Sequence, residues 1–178
     1  NGGFGTMPKF PQIPVLEFLL RYAANSDSDA PLQMVTHTLD MMASGGIHDQ
    51  LEGGFHRYST DSKWVTPHFE KMLYDNALIA NIYLNTYKAT GVSTYADISE
   101  LTLEFIIENL SAPDGTFYSS IDADSNNIEG DYYLWSEKEI MGNLKSDLAE
   151  AFNTHFRIGT PNNPLEGERS TILTKDGI

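Results

Sequence analysis

The sequence predicts an all-α fold of stacked helical pairs, a toroid or solenoid with one short β-hairpin in its loops. Three observations carry this expectation. Apolar residues recur at helical spacing in segments bounded by Pro and Gly. Strand-like composition is confined to two short stretches. A Gly turn followed by Phe and a polar string recurs three times, as GGFGTMPKF from Gly2, GGFHRYSTD from Gly53 and DGTFYSSIDADS from Asp114. The intervals of about fifty to sixty residues hold two helices and a loop, and such recurrence marks repeated helical pairs whose loops rim one face.

Taken in order, residues 12–24 hold Val15, Leu16, Phe18, Leu19 and Leu20, a broadly apolar helix. Residues 31–44 open with Pro31, suited to a first helical turn, and stop at Gly45-Gly46. Residues 67–90 also open with Pro, and Gly91 closes them. Their apolar positions, including Phe69, Leu73, Ala80, Tyr83 and Tyr87, follow i, i+3, i+4 spacing. Residues 94–110 repeat the pattern through Ile98, Leu101, Phe105 and Ile106. Ser136 and Glu139 form a capping box for a short helix, and 146–157 give one more. GTFYSS (115–120) and DYYLW (131–135) are expected to pair as a hairpin, and a short strand is expected near Ile172-Leu173.

The 178 residues suffice for one domain with a real core. Formal net charge is −14, from 25 acidic residues against 11 Lys and Arg, and such a surface repels phosphate backbones, so no nucleic-acid partner is expected. No apolar run is long enough to span a membrane. There is no Cys, which removes disulfides and thiol chemistry from this chain and fits a cytoplasmic protein. The chain opens without Met and reads as a piece of something longer.

One segment is dense in chemistry. GGFHRYSTDSKWVTPHFEKMLYDNA (53–77) carries two His, an Arg, two Lys, two Asp, a Glu and several rings. With the repeat loops gathered on one face, this segment becomes the wall of a pocket. Phe55, Tyr58 and Trp64 supply flat apolar surfaces. His56, Arg57, His68, Glu70, Asp75 and Asn76 supply donors, acceptors and proton carriers, and Tyr118 joins them from the third repeat. Arg57 with Asp61, and Glu70 with Lys71, are the expected ion pairs.

These strings, GGFG…PKFP, GGFHRYSTD..W…PHFEKMLYDNA and FYSSIDADS…EG.YYLW, resemble the YyaL-type family. That family was long described as a domain of unknown function and carries a thioredoxin-like N-terminal domain, which these residues, without Cys, are not expected to include. Its central region is similar to the (α/α)6 toroids of six-hairpin glycosidases and of N-acylglucosamine and cellobiose 2-epimerases. The resemblance covers most of residues 1–140 and implies a partial (α/α)6 toroid, a sugar-enzyme-like scaffold and a small-molecule sugar as partner. It implies no particular reaction.

The residues then divide by chemistry. Glycoside hydrolysis needs two carboxyl groups, and Asp122 and Asp124, two apart in an extended stretch, point to one side; their alternative role is to hydrogen-bond their own turn. Sugar epimerisation needs a base and an acid on opposite faces, a task suited to His. His56 and His68 are the candidates, with His68 expected at a helix start where the positive dipole end keeps it neutral; Glu70 is a further catalytic candidate. His37 and His155 read as structural, and His48 as intermediate. DADSNNIEGDYY departs from a calcium loop at its sixth and last key positions, so no metal or cofactor is expected. Three functions stay open: a sugar epimerase-like or glycosidase-like enzyme, a non-catalytic sugar-binding or interaction module, or a partner region of the thioredoxin-like redox domain in a longer parent. A half toroid cannot close, so the apolar stripes of 15–24 and 32–42 are expected to lie open and to favour self-association.

Overall fold

In the computed structural model, which describes residues 1–156 and 171–175, Pro14 sits in the first turn of helix α1 (Ile13–Ala23) and Pro31 in that of α2 (Ala30–Ser44). Neither costs a hydrogen bond there, because first-turn N–H groups have no helical partner. α1 and α2 pack as one helical hairpin. α3 (Leu73–Thr90) and α4 (Ser93–Asn109) form the second, separated by Gly91 in the left-handed conformation at φ 74°, where a side chain is strained. Two short helices follow, α5 (Glu137–Asn143) and α6 (Ser146–His155). The expected capping box is present at α5, with Ser136 Oγ accepting from the Glu139 N–H and the Glu139 carboxylate accepting from the Ser136 N–H.

The two hairpins share one core. Leu16 and Leu20 of α1, Val35, Leu39 and Met42 of α2, Ile79, Ile82 and Tyr83 of α3, and Tyr95 and Ile98 of α4 meet in it. Each such side chain contributes about 1.5–3 kcal/mol when taken out of water. Two phenols fix the second hairpin on α2. The Tyr83 hydroxyl donates to the Leu39 carbonyl (2.7 Å) and the Tyr95 hydroxyl to Asp40 Oδ1 (2.7 Å), which supplies the partner that a buried O–H requires. The stripe of 32–42 is therefore largely covered, with Met34 exposed. That of 15–24 is open at Phe18 and Tyr22, which stack 6.1 Å apart at 65% and 55% exposure.

Among the described residues, six two-residue strands lie in the loops. β1 (Tyr58–Ser59) pairs with β2 (Pro67–His68), β3 (Lys71–Met72) with β4 (Ser120–Ile121), and β5 (Asp124–Ser125) with β6 (Ile128–Glu129), all antiparallel. This corrects three sequence expectations. The third helix begins at Leu73, not Pro67, because residues 67–72 are committed to two separate ladders, and tertiary pairing overrides the local helical pattern. His68 consequently lies in a strand, away from any helix start. Residues 115–120 do not pair with 131–135. The hairpin instead closes at Asn126-Asn127, both at positive φ (56° and 60°), the backbone that tight hairpin turns demand and that Asn tolerates. Ser120 reaches back to Met72 and Trp135 bridges Thr171, one residue before the strand expected at Ile172-Leu173.

Candidate functional site

The C-terminal end of α2 builds the site. The last carbonyls of a helix have no partner within it, and here side chains from the following loop supply them. His48 Nδ1 donates to the Ala43 carbonyl (3.1 Å); Gln50 Nε2 donates to the carbonyls of Ala43 (2.9 Å) and Gly45 (2.9 Å). The loop can approach this closely because it leaves the helix through Gly45-Gly46. A Cβ on Gly46 would overlap the Val65 carbonyl. Having spent its donors on the helix, each side chain is left with an acceptor, His48 Nε2 and Gln50 Oε1, and both are buried without a partner.

These two residues line a cavity of about 340 Å³. Its other walls come from His56 and Phe69, from Asp49 and Glu52 of the loop, from Tyr132, Tyr133 and Trp135 after the β5–β6 hairpin, and from Ile172 and Leu173. His56 Nδ1 donates to the Phe69 carbonyl (3.0 Å), the same arrangement as in His48. Tyr133 stacks on Phe69 (5.7 Å) and meets His56 edge-on (4.7 Å). The Tyr132 hydroxyl donates to Glu52 Oε1, tying the aromatic wall to the loop.

Both imidazoles are held neutral. Burial pushes the pKa of His48 down to about 4, against a weaker opposing pull from its Ala43 hydrogen bond. Burial, then the nearby Lys71 charge, pushes His56 down to about 3. Lys71 is wholly buried. Its ammonium contacts Asp49 Oδ2 (2.7 Å) and the Gly53 carbonyl (3.0 Å) and lies 4.3 Å from the Phe105 ring and 5.0 Å from the Tyr133 ring. Asp49 Oδ1 meanwhile accepts from the backbone of Leu51 and Glu52. One ion pair thus shapes the cavity's acidic loop.

A second polar group starts one residue along each strand. Successive residues of an extended chain project to opposite sides, which separates Arg57 from His56 and Glu70 from Phe69. Arg57 Nη1 meets Glu70 Oε2 at 3.0 Å, His68 Nε2 lies 3.8 Å from the same oxygen, and His68 Nδ1 meets Glu129 Oε1 at 2.7 Å. Tyr58 stacks on His68 at 5.0 Å. Asp75, in the first turn of α3, is coupled to Arg57, Glu70 and Tyr74, and desolvation raises its carboxyl to about 6. Arg57 Nε and Asp75 Oδ2 are buried without a partner.

Of the residues expected on one concave surface, the structure brings His56 to the cavity and gathers Arg57, Tyr58, His68, Glu70 and Asp75 in the second group. Trp64 and Phe55 are not pocket surfaces. Both are wholly buried in the main core, Trp64 beneath the Lys9 ammonium (4.4 Å). Asn76 is a strut, its amide exchanging hydrogen bonds with the backbone of Phe55 (2.6 and 2.9 Å). Asp122 accepts from the Asp124 N–H in an exposed turn, and Tyr118 is exposed. The expected ion pairs exchange partners: Arg57 takes Glu70, Lys71 takes Asp49, and Asp61 accepts from the backbone of residues 63, 65 and 66. The sequence reading leaves His48 intermediate between structural and functional, and it does not single out Gln50, Glu52, Tyr132, Tyr133 or Trp135 as site residues. Their signals were the polar string directly after Gly45-Gly46 and the aromatic density of DYYLW.

No known protein-family profile matches the chain. Spermatogenesis-associated protein 20 of Mus musculus is 44% identical over 160 residues, 84% of this chain and 20% of that protein. The Homo sapiens protein of the same name is 44% identical over 150 residues, 79% of this chain and 19% of its own length. The chain thus spans about a fifth of these relatives. Among solved structures, cellobiose 2-epimerase from Bacillus thermoamylovorans superposes with a TM-score of 0.61 at 15% identity over 74% of this chain and 38% of that one. A family 76 glycoside hydrolase, a mannosidase from Bacteroides thetaiotaomicron, gives 0.55 at 16% identity over 69% and 33%. These likenesses establish the fold, part of an α/α toroid shared by sugar epimerases and glycosidases.

Proposed function

The chain is a homologue of one part of spermatogenesis-associated protein 20, and from that premise we propose that it supplies the sugar-binding wall and an acid–base carboxyl of a carbohydrate-processing enzyme. The observation that carries this reading is the cavity of about 340 Å³ walled by Phe69, Tyr132, Tyr133 and Trp135, with Asp49, Glu52 and His56 among its polar lining. Ring faces suit the apolar faces of a sugar ring. The scaffold is one on which neighbours named as epimerases, an isomerase and mannosidases are built.

A proton-carrying carboxyl is present in Asp75, which lies with Arg57 and Glu70 in the second polar group and outside the cavity lining, so its acid–base role holds for a substrate whose reacting end reaches that group. A proton carrier works best with a pKa near the working pH. Asp75 at about 6 meets that condition; His56 at about 3 accepts a hydrogen bond but holds a proton poorly. Glu70, fixed by Arg57 and His68, is the second carboxylate within this group. His68 steadies it and joins it to Glu129.

The test is to incubate the full-length protein with aldoses and aryl glycosides in D2O. Deuterium at C2 identifies epimerisation or isomerisation, and release of the aglycone identifies hydrolysis. Asp75→Asn is expected to lower kcat about 10²-fold or more in either case. Saturation-transfer NMR with the same sugars reports binding alone. Binding without deuterium uptake or aglycone release leaves a non-catalytic sugar module, and absence of binding removes the reading.

A further inference from the structure

Residues 126–135 give the cavity one wall, through Tyr132, Tyr133 and Trp135, and they rest on little. Among the described residues their apolar support is a small cluster of Phe69, Ala123 and Leu134 with Tyr133 and Ile172 against it, all of them loop residues. Segments with few buried apolar contacts open at a lower free energy than the core. The segment turns at Asn126, Asn127 and Gly130, each at positive φ. Gly130 lies against the Phe69 ring, where a Cβ would stand 2.4 Å from a ring carbon. Two polar bonds fasten the segment, one to each polar group. The Tyr132 hydroxyl donates to Glu52 Oε1 on the acidic loop of the cavity, and Glu129 Oε1 meets His68 Nδ1 at 2.7 Å beside the Arg57–Glu70 pair. Tyr132, Glu52 and Glu129 are all exposed, and bonds between exposed groups add little net stability because water replaces them. Both fastenings sit on one short piece of chain, with Gly130 between them.

We infer that residues 126–135 are a lid on the cavity with two coupled latches, so that opening the cavity at Glu52 also releases His68 from Glu129 in the second polar group. As Tyr132 lifts from Glu52, Tyr133 leaves the edge of His56, which it meets at 4.7 Å when closed. Closure covers the cavity and returns His68 to its place between Glu129 and Glu70. Lids of this kind exclude water from a bound ligand and complete the surrounding constellation as they close, on the μs–ms timescale. The lid belongs to the chain itself and holds with no sugar bound, so it stands apart from the function proposed above.

Histidine labelling by diethyl pyrocarbonate and amide hydrogen exchange, both read by mass spectrometry on the full-length protein, test the coupling. Tyr132→Phe removes only the latch at Glu52. It is expected to speed labelling of His68 at least ~3-fold, the order expected for loss of one exposed hydrogen bond. His56 should also label faster as Tyr133 lifts, while His37, exposed on α2, should not change. Glu129→Ala releases the other latch and should speed exchange of the Trp135 amide, which donates to the Thr171 carbonyl (3.2 Å). Glu52→Ala should reproduce Tyr132→Phe, whereas Glu52→Gln, whose amide oxygen still accepts the phenol hydrogen, should resemble the parent protein. Unchanged labelling of His56 and His68 in both Tyr132→Phe and Glu52→Ala overturns the inference and makes residues 126–135 a fixed wall. Faster labelling of His56 with His68 unchanged overturns the coupling and leaves two independent latches.

Discussion

Lys71 and Asp49 meet at 2.7 Å with the ammonium completely shielded from water. Taking two charges out of water is costly, and what offsets the cost is their mutual attraction plus full use of their remaining hydrogen-bonding capacity. Here Lys71 also donates to Gly53 and faces two rings, while Asp49 also accepts two backbone N–H groups. Burial lowers the pKa of Lys71; burial also works to raise that of Asp49, but the Lys71 charge and hydrogen bond together with the Leu51 and Glu52 N–H groups lower it on balance.

Removing one partner strands the other. Lys71→Met should cost about 3–5 kcal/mol in urea denaturation. Lys71→Met combined with Asp49→Asn should recover much of that, since Asn keeps the bonds to Leu51 and Glu52 without the charge. A double variant no more stable than Lys71→Met would show that the rings and packing, not the charge pair, hold the loop.

How far the sequence could be read follows the range of the forces involved. α1, α2, α4 and the α5 cap were legible because Pro, Gly and apolar period act within a few residues. The third helix was misjudged at its start because Pro67-His68 folds back on Tyr58-Ser59 and Lys71-Met72 pairs with the distant Ser120-Ile121. Density of polar groups marked residues 53–77 correctly as chemical, yet it could not say that extended backbone would divide them between two sides. Trp64 looked like a binding ring, but its shielding by Gly3 and Lys9 is a contact across more than fifty residues. Gln50 was hidden, and His48 left intermediate, for the opposite reason: their role comes from capping a helix end, which apolar spacing does not register.

The Ser136 cap is a local device, and its loss should have a local cost. Ser136→Ala should destabilise by about 1 kcal/mol, read as a lower Tm. Ser136→Thr should restore most of it, because Thr retains the accepting oxygen. An unchanged Tm for Ser136→Ala would mean that α5 is held by Ile140 and its packing alone.

Acid should weaken the fold through its buried imidazoles. The folded pKa values of His48 and His56, about 4 and about 3, lie below the unfolded value near 6.5. The unfolded chain therefore binds more protons as pH falls. Their contribution is complete above about 6.5 and is lost as pH drops towards 4 and 3, on the order of a few kcal/mol for each. His56→Asn, whose amide can still donate to Phe69, should flatten the decline in Tm between pH 6.5 and 4. An unchanged slope would mean that His56 is protonated in the folded protein.

Asp75 works in the opposite direction. Its folded pKa of about 6 lies above the ordinary aspartate value of 3.8, mainly through desolvation, so the native state holds the proton where the unfolded chain has released it. Stability therefore declines as pH rises from about 4 to 6, and the cost persists at pH 7, where a partly desolvated carboxylate faces Glu70. Asp75→Asn should remove that cost and stabilise the protein at pH 7 by roughly 1–3 kcal/mol, with little effect at pH 4. The same substitution removes the proposed proton carrier, so turnover should fall as Tm rises. A residue kept for packing alone would lose both together, and one kept for activity at the expense of stability would separate them. Measuring Tm at the two pH values beside kcat on one variant distinguishes the cases. A lower Tm at pH 7 would mean that the Asp75 carboxylate is stabilised by Arg57 more than it is penalised by burial.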